Sequence, residues 1–171
     1  FFFNNAVISI FVFASMIAAF LFDQTETQIL LLGVFINLSG VFGCIILGQI
    51  EDRVGSLRMV VISIIFLMLS TIVLYFVENI KVFWIISLTI GFFIGPIQAS
   101  SRSVLVKRIK SSNQMPMFSL YSMFGNLCSI LGPFIVSFTI DQTNSLRLGL
   151  LVIPSFLLLS LLPFLFKYLR N

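Results

Sequence analysis

Six stretches of the chain run without a charged side chain: Phe1 to Phe22, Thr27 to Ile50, Met59 to Val77, Val82 to Ser101, Ser111 to Ile140 and Leu148 to Phe166. A helix rises about 1.5 Å per residue and bilayer hydrocarbon is about 30 Å thick, so about 20 residues cross it. Each stretch is long enough. All are too long and too uniformly apolar for barrel strands, and lipid offers no water to unpaired backbone groups, so each is predicted to be a helix. The pattern predicts an all-α integral membrane protein with six transmembrane helices, over about 1–22, 27–50, 59–77, 82–101, 117–140 and 148–166. The third and sixth spans carry only scattered Ser and Thr and are expected to face lipid. The others concentrate amides and hydroxyls, which are expected to turn toward helix neighbours or a wet cavity.

Composition agrees: of 171 residues, 59% are apolar and 9% charged, far from the quarter or so charged in soluble domains. Net charge is +4, yet eight of the ten basic residues lie at one end of the predicted bundle. Arg53 and Arg58 follow span two; Arg102, Lys107, Arg108 and Lys110 follow span four; Lys167 and Arg170 follow span six. Lys81 and Arg147 are at the other end, with Asp23, Glu26, Glu78 and Asp141, while Glu51 and Asp52 lie at the basic end. By the positive-inside rule the basic end is cytoplasmic, and so is the C-terminus. The charge is therefore a topology signal, and nucleic-acid binding is not expected. Cys44 and Cys128 lie mid-span as small apolar side chains, and no disulfide is expected. The chain opens inside an apolar run with neither an initiator Met nor a signal-peptide pattern, which predicts that further sequence precedes Phe1.

Shifting the chain by 89 residues lays Phe35, Asn37, Leu38, Gly43, Ile46, Asp52, Ser56, Leu57 and Arg58 on Phe124, Asn126, Leu127, Gly132, Ile135, Asp141, Ser145, Leu146 and Arg147. These are nine identities in 24 positions, four of them in the polar pattern Asp-x-x-x-Ser-Leu-Arg. Span two maps onto span five, so each unit, about 1–81 and 82–171, holds three spans. Three is odd, so the second copy enters from the opposite face. An inverted 3+3 repeat is the construction of many secondary transporters, with substrate sites near the bilayer midplane at the repeat interface.

After span two stands Gly48-Gln-Ile-Glu-Asp52-Arg53-Val-Gly55-Ser-Leu-Arg58. It resembles the signature loop of the major facilitator superfamily, Gly-x-x-x-Asp-Arg-x-Gly-x-x-Arg or Lys. Gly91-Phe-Phe-Ile-Gly95-Pro-Ile-Gln98-Ala-Ser-Ser-Arg102-Ser103 and the later Tyr121-Ser-Met-Phe-Gly125 segment are similar to the branch containing the yeast vacuolar amino-acid effluxer and its bacterial relatives. The resemblance covers essentially the whole chain. It implies helices seven to twelve of a twelve-helix transporter, whose partner is a missing N-terminal six-helix half or a second copy of this chain. It also implies that Asp52, Arg53 and Arg58 are gate elements, with Gly48 and Gly55 permitting close approach. Asn4-Asn5-Ala6 stands where relatives carry an acid and a Gly, so no coupling role is carried over there.

In that architecture the first and fourth spans of a half line the cavity. This nominates Asn4, Asn5 and Ser9 with Gln98, Ser101 and Arg102, aided by Asn37 and Asn126. Amides donate and accept, which suits a small polar or zwitterionic solute; the resemblance implies an amino acid. Arg102, at the cytoplasmic end of its span, either meets a carboxylate or snorkels to the interface. Gly91 and Gly95, four residues apart, favour close helix packing, and Pro96, Pro133, Pro154 and Pro163 are candidate kinks. The chain has no His and only six acids. An enzyme is not expected, nor is a cofactor or metal site, and no charged ring or carbonyl filter marks a channel. A six-span structural or assembly protein without transport activity is the alternative left open. Short loops favour a bacterial plasma membrane.

Overall fold

A computed structural model describes residues 2–109 and 114–169, with side chains through Leu162. Lys110 and Arg170 lie outside the described residues, as do the side chains of Pro163 and Lys167. The described chain is helical with short turns: α1 (Phe2–Phe22), α2 (Glu26–Val54), α3 (Ser56–Phe76), α4 (Ile80–Arg108), α5 (Gln114–Thr143), α6 (Leu146–Leu150) and α7 (Val152–Leu169). Helices α1 to α5 are each long and apolar enough to cross a membrane, and α6 with the start of α7 makes a shorter apolar sixth unit.

The turns follow their residues. Asp23 and Asn144 take left-handed φ values of 47° and 50°, which short polar side chains tolerate, and Gln24 N–H closes back on Ala18 O at 3.0 Å. Gln28 Oε1 accepts the Thr25 N–H at 2.9 Å, and Asn79 Oδ1 accepts the Lys81 N–H at 2.9 Å, so α2 and α4 start on side-chain caps. Between α2 and α3 the turn is the single residue Gly55, at φ 95° and ψ 145°, a conformation open to glycine. Under the 89-residue shift Gly55 falls on Asn144. Both reverse the chain with positive φ.

Two boundaries differ from the sequence expectation. Helices α2 and α4 run to Val54 and Arg108, past the charge-free windows ending at Ile50 and Ser101, because charged residues in water do not stop a helix. At 29 residues each, they are about 44 Å long and outreach the hydrocarbon. The sixth span is broken at Leu151: Pro154 lacks the N–H that the Leu150 carbonyl would accept, so the helix restarts at Val152. Pro96 and Pro133 lie inside α4 and α5, which run through them without interruption.

Packing is pairwise equivalent under the shift. Helix α2 packs on α4 and α5 on α1; α3 packs on α4 and α7 on α1; α3 and α7 also meet. The core comes from α1 and α4, through Ala6, Val7, Phe13, Phe83, Ile94 and Ile97, with Ile64 and Leu67 of α3. In contrast α2 buries only Leu32, Ile36, Gly40 and Gly43, and α5 only Cys128, Gly132 and Val136, each a stripe one residue wide. So α2 and α5 are the exposed helices, whereas α3 keeps Met59, Val60, Ser63, Ile64, Leu67, Thr71 and Leu74 buried and shows Ile65, Phe66, Leu69 and Val73 outward.

The exposed surface of α5 is divided. At 100° per residue, Ser119, Ser122, Asn126, Ser129 and Ser137 fall within about 80° of arc, and all five are exposed. Leu120, Met123, Leu127, Ile130, Leu131, Phe134 and Phe138 cover the exposed arc beside them. One face suits acyl chains; the other is polar.

Candidate functional site

Three helices build a polar cleft of about 400 Å³ at the end of the bundle where α1 begins and α4 ends. Asn4 comes from the first turn of α1. Gln98 and Arg102 stand one turn apart on α4. Phe118, Tyr121, Ser122, Gly125 and Asn126 recur at three- and four-residue spacing on α5, so they share a face. Across the cleft Ser101 Oγ and Tyr121 OH meet at 3.0 Å, a direct link between α4 and α5. A second lobe of about 300 Å³ shares Asn4, Tyr121 and Gly125 and adds Phe3, Phe124 and Cys128. A Cβ on Gly125 would touch only Asn4 Nδ2, at 3.5 Å, so the cleft depends on a small residue there without being closed by it.

The chemistry of this cleft is one cation, three amides, two hydroxyls and two aromatic rings, with no acid among its described lining residues. Guanidinium supplies planar, permanently charged donors that match a carboxylate, and the amides can donate and accept. A few hundred cubic ångströms suits a small solute. Among the described residues no three His, Cys, Asp or Glu side chains gather where they could hold a metal.

Four of the residues singled out in the sequence, Asn4, Gln98, Arg102 and Asn126, thus line one cleft, and Ser101 bridges its walls. Asn5 and Ser9 lie instead in the seam between α1 and α5. Asn5 is 2% exposed and its Nδ2 donates to Cys128 Sγ at 3.1 Å. Ser9 is fully buried, with its Oγ 2.7 Å from where a Cβ on Gly132 would stand. Asn37, the repeat equivalent of Asn126, is exposed on α2 and donates to Gly33 O of its own helix at 2.8 Å.

The signature segment joins the end of α4 at the same end of the bundle. Ser100 Oγ donates to Glu51 Oε2 at 2.5 Å, and Lys107 Nζ donates to Ser56 Oγ at 2.8 Å. Asp52 and Arg53 are exposed in the last turn of α2, Arg58 is exposed in the first turn of α3, and a Cβ on Gly48 or Gly55 would meet open space. Sequence reasoning passed over Glu51 and Ser100. The signal was present: Gly40, Cys44, Leu47 and Glu51 continue the packed stripe of α2, and an acid in that register calls for a donor on the facing helix. At the other end, Arg147 Nη1 lies 4.0 Å from Glu78 Oε1, joining α6 to the turn before α4.

A family model described as Major Facilitator Superfamily matches residues 1–171. The uncharacterised MFS-type transporter YxiO of Bacillus subtilis (strain 168) is 31% identical over 100 residues, which cover 58% of this chain and 23% of that protein. Autophagy-related protein 22 of Pichia angusta is 24% identical over 136 residues, covering 73% of this chain and 24% of the relative. The chain thus matches about a quarter of the length of each of these relatives. No solved structure matches it significantly. With apolar spans along its length and the family match running from its first residue to its last, this integral membrane protein belongs to the major facilitator superfamily of transporters.

Proposed function

We propose that the chain is one half of a secondary transporter that moves a small polar solute, an amino acid, by alternating access through the cleft between α1, α4 and α5. The observation that carries this reading is the convergence of Asn4, Gln98, Arg102, Tyr121, Ser122 and Asn126 on one polar cleft in a largely apolar bundle. Polar side chains inside a membrane are costly, and they cluster where a solute passes. Arg102 takes the solute carboxylate, and the amides take its remaining polar groups.

The two units, about 1–81 and 82–171, act as an inverted pair. The exposed polar arc of α5 and the exposed face of α2 present the surface that the other half of the transporter, or a second copy, covers. Asp52, Arg53 and Arg58 serve the gate at the cytoplasmic end, which is also where the C-terminus lies, in a bacterial plasma membrane. Asn5 and Ser9 set the spacing of α1 against α5 that holds the cleft open.

The test is uptake of labelled amino acids by proteoliposomes containing the complete transporter. Arg102→Gln is expected to lower the initial rate at least tenfold, with Arg102→Lys between the two because it keeps charge but loses the fork. Uptake by Arg102→Gln equal to wild type would remove the cleft from the pathway. An absence of flux for every solute offered would favour a structural or assembly role.

A further inference from the structure

A second pocket, of about 380 Å³, lies at the basic end of the bundle where the α2–α3 turn meets the end of α4. Arg58, Lys107 and Arg108 bring three positive charges to it, Val54, Leu57 and Val104 give it apolar walls, and no acid is among its described lining residues. It shares no residue with the cleft described above.

Compensation of helix ends accounts for part of this charge and not for the rest. Lys107 and Arg108 stand in the last turn of α4, where cations offset the negative end of the helix. Arg58 stands in the first turn of α3, the positive end, where a cation is disfavoured and no acid is present to balance it. The first N–H groups of α3 add to the excess, because their cap position is Gly55, which has no side chain to accept from them. Ser56, 4% exposed, is spent on accepting the Lys107 ammonium at 2.8 Å, which pins that charge at the pocket wall. The nearest acids in sequence are turned to other work or to water: Glu51 receives Ser100 Oγ, and Asp52 is exposed. Three cations and a helix N-terminus around one space leave a positive potential that an anion with several acceptor oxygens would satisfy.

We infer that this pocket is a phosphate-binding site, built to take the phosphate group of an anionic phospholipid or a free phosphate. The lipid source has the geometry in its favour. The pocket lies at the ends of α2 and α4, the two 29-residue helices that are longer than the hydrocarbon is thick, and Val54, Leu57 and Val104 stand beside its cations, so a headgroup can sit among the charges with apolar contact next to it. The site does not depend on the cleft being a solute pathway.

Native mass spectrometry of the complete transporter released from detergent micelles, with phosphatidylglycerol or phosphatidylcholine added, tests it. One phosphatidylglycerol is expected to stay bound at concentrations where phosphatidylcholine does not. Arg58→Gln/Arg108→Gln, in which both side chains are exposed, should cut the retained fraction at least fivefold, and Lys107→Gln should cut it as well. Arg147→Gln removes one charge at the opposite end and should leave retention unchanged. Millimolar inorganic phosphate separates the sources: displacement of the lipid assigns the pocket to phosphate in either form, and its failure to displace assigns the pocket to the lipid. Equal retention of the two lipids, or retention by Arg58→Gln/Arg108→Gln matching Arg147→Gln, would overturn the inference.

Discussion

Under the 89-residue shift Gly40 and Gly43 of α2 fall on Ser129 and Gly132 of α5, while Gly91 and Gly95 of α4 fall on Phe2 and Ala6 of α1. Two seams that occupy equivalent places are therefore built from different side chains. Between α2 and α4 the contact is backbone on backbone: a Cβ on Gly95 would stand 2.5 Å from Gly40 O and 2.8 Å from Cys44 Sγ, and one on Gly43 would run into the Phe92 carbonyl. Between α1 and α5 such an approach occurs at Gly132, against Asn5 O at 2.8 Å, and the seam opens beyond it toward Asn4 and Gly125. Small residues let helices close without a hydrophobic driving force. The copy with glycine at all four positions is closed; the copy that has glycine at only one of the four holds the polar cleft.

The largest effect should come from forcing the closed seam apart. In a helix interior Ala is favoured over Gly by about 1 kcal/mol, but overpacking costs about 1–3 kcal/mol, and more where the obstacle is a backbone carbonyl that cannot rotate away. Gly43→Ala is therefore expected to lose about 3 kcal/mol, a fall of roughly 6–12 °C in melting temperature for a chain of this size. Gly33→Ala and Gly48→Ala lie on the same helix with nothing within 4 Å of the added carbon, and should melt at or slightly above wild type. Thermal unfolding in detergent measures all three. If Gly43→Ala melted with Gly48→Ala, the α2–α4 seam would not be closed at Gly43.

A middle-sized effect separates the repeat-related pair Asn37 and Asn126. Asn37 bonds its own helix and stands away from the cleft, whereas Asn126 lines it. On the transport reading, Asn126→Ala should lower initial uptake about tenfold, equivalent to about 1.4 kcal/mol. Asn37→Ala should stay within twofold. Equal losses would mean that both copies of the second helix contribute to the pathway, and the contrast between the seams would not extend to function.

How much of this was legible beforehand depended on what each feature requires. Six spans follow from charge-free length alone. Their ends do not: an uninterrupted apolar window stops at the interface, but α2 and α4 continue through Asp52 and Arg102 into water. Asn4, Gln98, Arg102 and Asn126 could be nominated from polarity in apolar surroundings, and they do converge. Asn5 could not be told from Asn4 in the same way. Neighbours on a helix point about 100° apart, and only the register of α5 decides that Asn4 faces the cleft and Asn5 faces Cys128. The turn equivalence of Gly55 and Asn144 was within reach of the repeat alignment, since both residue types accept a positive φ.

The smallest effect lies at the opposite end of the bundle. Arg147 is the repeat equivalent of Arg58, but it has an acid beside it: Glu78, 85% exposed, at 4.0 Å. Exposed pairs of this length contribute about 0–1 kcal/mol, and salt weakens them further. Glu78→Gln, Arg147→Gln and the double variant should each melt within about 2 °C of wild type, with a coupling between the two substitutions of under about 0.5 kcal/mol that vanishes in 0.5 M salt. A coupling of several kcal/mol would show that α6 and the turn before α4 are clamped there. The two ends of the bundle would then be fastened alike, by Glu78–Arg147 at one end as by Glu51–Ser100 and Lys107–Ser56 at the basic end, and the asymmetry between the copies would be confined to the seams.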